Sequence, residues 1–106
     1  MSEGKVRYVG IFGHSTDRLV SVANLVKRKY GCPLDAVQNW AQLTLQNTQL
    51  ETEGQGKSRD AGVDCIFNSS PLCIGLLGSG GVPAGSPGDF HSAPSCIRER
   101  VLKASE

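Results

Sequence analysis

The densest chemistry in the chain lies in eight consecutive residues, Gly10-Ile11-Phe12-Gly13-His14-Ser15-Thr16-Asp17. An imidazole titrates near neutral pH, so His14 can serve as a nucleophile or as a general acid and base. Gly13 lets a ligand approach the backbone, and Ser15 and Thr16 supply hydroxyl donors. If this turn opens a helix, the first free amides and the helix dipole favour an anion such as phosphate or carboxylate there. His14 is therefore the candidate catalytic residue, and Gly13, Ser15, Thr16 and Asp17 are the candidate ligand-binding residues. The same residues also have a purely structural use: two glycines for a turn, a Ser or Thr cap, an acid facing the dipole and an exposed histidine.

The elements flanking the turn place it. Val6, Tyr8, Val9, Ile11 and Phe12 form a β-branched and aromatic run that predicts a strand over residues 5–12, suited to burial on both faces. Leu19, Val22, Ala23, Val26 and Tyr30 recur at helical spacing and predict a helix over 17–30. Lys27, Arg28 and Lys29 complement its dipole in the last turn, and Gly31 stands where a helix stops. A turn from the carboxyl end of a strand into a helix is where ligands gather in open α/β sheets.

The run VGIFGHSTDRLVSVANLV resembles the start of phosphotransferase-system IIA domains of the mannose type and of the small cobalt chelatases. The first of these implies a histidine, here His14, that accepts a phosphoryl group. The likeness covers about a sixth of the chain and rests on that one histidine, so no family is assigned on it. Gly10-Ile11-Phe12-Gly13 is also similar to the opening of nucleotidyltransferases, but the His-x-Gly-His those enzymes use is missing.

Other motifs carry less. Gly54-Gln55-Gly56-Lys57-Ser58 ends like a P-loop, yet position 51 is Glu where that pattern needs glycine, so the segment reads as a solvated turn. Cys32, Cys65, Cys73 and Cys96 lack the paired spacing of zinc sites and read as free thiols. His91 has no partner at ligand spacing, and neither a metal nor a cofactor is expected. Trp40 reads as a core or interface anchor.

Beyond Gly31, Pro33 suits the first turn of a helix, and Ala36, Val37, Trp40 and Leu43 predict one over 34–48, with a strand over 42–50 as the rival. Residues 51–62 read as a loop. Val63 to Phe67 and Leu72 to Leu77 flank the turn residues Asn68-Ser69-Ser70-Pro71 and predict an antiparallel hairpin. Residues 78–88 hold nine Gly, Ser or Pro in eleven and read as a weakly ordered linker. Ile97, Val101 and Leu102 predict a short helix within 92–105.

The expected fold is α/β: a three-stranded sheet packed by two to three helices, in the order β-α-α-β-β-linker-α. The expected division is a compact domain over 1–77, a linker over 78–91 and a C-terminal helix over 92–106. A net charge of +1 offers no broad footprint for nucleic acid, and no apolar run is long enough to cross a membrane. A cytoplasmic location is the resulting expectation. Helices on one side of three strands leave an edge and a face uncovered, which favours an interaction module that meets a protein partner or a second copy. The alternative is a phosphate- or nucleotide-binding protein, or a phosphotransfer enzyme, that uses the His14 turn and takes an anionic small-molecule ligand.

Overall fold

A computed structural model describes residues 4–83, 85 and 91–105. Three parallel strands, β1 (Gly10–Gly13), β2 (Ala36–Trp40) and β3 (Cys65–Ser69), lie in the order β1-β2-β3. In register, Ile11 stands beside Val37, and Val37 beside Ile66. The connection from β1 to β2 is α1 (Thr16–Tyr30). The connection from β2 to β3 holds a π-helical segment, Leu50–Gly54, that runs directly into α2 (Gln55–Asp60). A third helix, α3 (Ser95–Ala104), follows the sheet. The order is therefore β-α-β-α-β-α.

α1 forms as its sequence dictates. Ser15 caps it, its hydroxyl accepting from the Arg18 amide at 3.4 Å, and Gly31 ends it in the left-handed region at φ 73°. Leu19 and Ala23 point inward. They join Leu34, Val37, Ala61 and Val63 in a core between the sheet and the two crossover helices, with Ile11, Val26 and Ile66 packed around it. Each fully buried aliphatic side chain contributes about 1.5–3 kcal/mol, so six residues of which two are alanine make a small core.

Four expectations are corrected. The helix expected over 34–48, and its rival strand over 42–50, give way to β2 at Ala36–Trp40 followed by a loop. Val37 and Asn39 are buried in that strand while Gln38 between them is exposed, a period of two. The loop expected over 51–62 is mostly helical, because Leu50, Gly54, Ser58 and Ala61 form a buried stripe of mainly small residues that packs against α1. The hairpin is absent: residues 71–77 form turns, and β3 pairs with β2 in parallel. The strand expected over 5–12 is confined to Gly10–Gly13, because β2 offers partners only from Ala36, opposite Gly10.

The segment after β3 leaves the sheet. Within the expected linker, residues 84 and 86–90 lie outside the described residues. α3 has no buried residue, and its Leu102 lies over Gly81, where a methyl group would stand 3.1 Å from Leu102 Cδ1. The radius of gyration is 17.1 Å, against about 13 Å for a compact chain of this length.

Candidate functional site

The His14 turn joins β1 to α1, as expected, and the structure divides its residues between roles. Gly13, His14 and Ser15 line a hollow of about 440 Å³ together with Ile11, Phe12, Arg18, Leu19 and Val22. Gly13 has a packing reason as well, since a methyl group there would stand 3.2 Å from Leu19 Cδ2. Thr16 faces away from the hollow's solvent and is buried, its hydroxyl accepting a hydrogen bond from Asn39 Nδ2 at 2.7 Å. Asp17 is exposed, with a carboxylate oxygen 3.6 Å from Lys57 Nζ. That carboxylate already faces the helix dipole, and its charge opposes a second anion beside it.

Lys57 comes from the Gly54–Ser58 motif, which is helical here rather than a turn, with Ser58 buried. Its hydrogen bond to Glu53 at 3.0 Å, reinforced by Asp17, holds the ammonium above its ordinary value of 10.5. The support that this raised cation gives the fold is present below its ordinary value and is lost as the pH rises past it and the ammonium deprotonates. His91 ties the chain after β3 together: its Nδ1 accepts from the Ala93 amide at 3.1 Å, which leaves Nε2 to donate to the Cys73 carbonyl at 2.9 Å. Cys32, Cys65, Cys73 and Cys96 are unpaired. Among the described residues no group of three or more His, Cys, Asp or Glu side chains could hold a metal ion, and no helix is long and apolar enough to cross a membrane.

His14 also belongs to a second feature that the sequence concealed. Its ring meets the rings of Phe12 and Trp40 edge-on, with centroids 5.6 and 5.0 Å away. α1 and the π-helical segment with α2 lie on one face of the sheet, and alternation sends the other side chains to the opposite face. There Phe12, Gln38 and Phe67 stand in one row across the three strands. Phe12 is 57% exposed and Phe67 55%. Gly10, Ala36 and Cys65 make the row before it, and Trp40 with Ser69 the row after. None of these side chains is charged. Parallel sheets are almost always covered on both faces, so a face on which the described residues leave Phe12, Gln38 and Phe67 exposed is unusual. Only Trp40 had been marked as an anchor, because β2 and its register were hidden.

No family model matches the chain, and no curated protein or solved structure shows significant similarity to it.

Proposed function

We propose that this chain is a protein-interaction module that receives the apolar stripe of a partner's helix across the uncovered face of its sheet. The observation that carries this is the uncharged row Phe12, Gln38, Phe67 with Trp40 and His14 beside it. The dimensions select a helix. Three strands spaced by about 4.8 Å span about 10 Å between the outer two, close to one helix diameter. Within a single chain, a face that narrow is too small for a sheet-on-sheet interface of the usual ~800 Å² per partner. Covering the exposed part of each phenylalanine ring is worth about 2–3 kcal/mol.

Selection from a displayed library of helical peptides tests this reading. Binders are expected to carry apolar residues at i, i+3 or i+4, and i+7. Phe67→Asp is expected to weaken them about a hundredfold while lowering the melting temperature only modestly, since the ring it removes is half exposed. Binders indifferent to Phe67→Asp, or none at all, contradict the reading.

A second reading follows from the hollow at the start of α1, where His14 and Arg18 flank the backbone of Gly13 and Ser15. In this reading His14 and the neighbouring amides hold a phosphate-bearing small molecule. Titration with inorganic phosphate at millimolar concentration is expected to shift the amide resonances of His14, Ser15 and Arg18, and His14→Ala to remove the response. Unmoved resonances eliminate it.

A further inference from the structure

Among the described residues no strand pairs with the outer edge of β1, and the residues before it are strand-forming without being a strand. Val6 is 51% exposed, Tyr8 73% and Val9 38%, in a run where apolar and basic residues alternate. β2 begins opposite Gly10 and has no residues to offer Val6 or Tyr8. The direction of the edge can be read from Val9, whose carbonyl accepts from the Asp35 and Ala36 amides and whose amide donates to Asp35 Oδ2. Val9 therefore turns its backbone groups toward β2. By alternation Ile11 and Gly13 do the same, and Gly10 and Phe12 turn theirs outward.

We propose that a second copy of this chain pairs antiparallel along this edge, with the two-fold axis at Val9. The inference goes beyond the helix-docking reading and does not depend on it. In this register Tyr8 faces the second copy's Gly10, and Val6 its Phe12. These are the residues whose backbone groups point outward, so the two pairs and their symmetry mates form eight hydrogen bonds. An aromatic ring over a glycine and an aliphatic residue opposite a phenylalanine are favourable cross-strand pairs. On the other face Arg7 meets Ile11, so no like charges stand opposite each other. With a net charge of +1 each, two copies have little long-range repulsion to overcome.

The helix side of the same edge supports the arrangement. Two hollows, of about 440 and 520 Å³, lie along β1 and share Ile11. The second is lined by Val9, Val26, Tyr30, Cys32, Pro33 and Leu34. Val22 of α1, 41% exposed, stands at the flank of the first. Neither hollow contains an acidic side chain. A two-fold axis through Val9 brings the α1 helices of the two copies side by side over the seam and sets the apolar lining of the second hollow against its counterpart in the other copy, while the stem of the second copy's Arg7 lies over Ile11 at the first.

Sedimentation equilibrium of the full chain over micromolar to millimolar concentration is the test. A monomer–dimer equilibrium is expected, and Tyr8→Pro, which removes one outward amide from each copy at an exposed position, is expected to raise its dissociation constant about tenfold or more. Val9→Cys is expected to yield, on mild oxidation, a disulfide between the two introduced thiols, because non-hydrogen-bonded antiparallel partners approach within disulfide range. Mass mapping distinguishes that bridge from any involving the four native cysteines. Phe67→Asp leaves the dimer intact, and Tyr8→Pro leaves helical-peptide binding intact, so the two proposals fail separately. A monomer throughout the concentration range, or a dimer insensitive to Tyr8→Pro, overturns the inference.

Discussion

Asn39→Leu is expected to lower the stability of the domain by about 2 kcal/mol, read as a shift in the denaturant midpoint without a change in slope. Asn39 is 1% exposed and Thr16 3%, and the 2.7 Å bond between them ties the end of β2 to the first residue of α1. Leucine preserves most of the volume, so a cavity contributes little. The dominant effect is the Thr16 hydroxyl left buried without this partner, which costs about 1–3 kcal/mol. Replacing both residues together, Asn39→Leu with Thr16→Val, is expected to recover most of the loss, because neither polar group then remains to be satisfied. An additive double variant would mean that the pair is not coupled and that the mouth of the site is held by something else.

Gly54→Ala and Gly56→Ala are expected to move stability in opposite directions, although the two glycines lie two residues apart in one helical stretch. Glycine to alanine in a helix normally stabilises by about 0.5–1 kcal/mol. Gly56 has nothing within 4 Å of the added methyl group, so that gain should appear in full. At Gly54 the methyl carbon would stand 2.5 Å from Thr16 Cγ2 and 3.1 Å from Leu50 Cδ1. Thr16 is β-branched, buried and hydrogen-bonded, so it cannot swing away without losing Asn39. Overpacking of this kind costs about 1–3 kcal/mol, more than the helical gain returns. Thermal unfolding of both variants checks the contrast, and a stabilised Gly54→Ala would show that the helices are farther apart than described.

These residues also explain which parts of the fold were legible in advance. α1 was legible because its start, face and stop are all local: Ser15 caps, Leu19 and Ala23 are buried, and Gly31 takes the left-handed conformation. β2 was obscured because its inward positions hold Val37 and Asn39 while Trp40 points outward, which reverses the apolar and polar signal at the end of the strand. The helical stretch after Leu50 was obscured for a related reason. Its buried stripe uses Gly54, Ser58 and Ala61, residues chosen for close approach rather than for hydrophobicity. The hairpin followed from turn chemistry at Asn68 to Pro71, yet the partner of β3 is the distant β2, a contact that no local pattern encodes.

The candidate site divides in the same way. The turn from β1 into α1 was legible from its glycines and its cap. The burial of Thr16 against Asn39 was not, because Asn39 lies on a strand hidden from the sequence. The bare face needed both the parallel register and the placement of both crossover helices on one side before Phe12 and Phe67 could be recognised as neighbours of one row.

Amide and indole shift mapping of the isotopically labelled chain, titrated with a helical peptide from the selection, addresses the central claim most directly. Changes are expected to centre on Phe12, Gln38, Trp40 and Phe67, with α1 and α2 unmoved. Changes centred instead on α1, or on the turn at Gly13 to Ser15 with Phe67 silent, would contradict docking on the open sheet face.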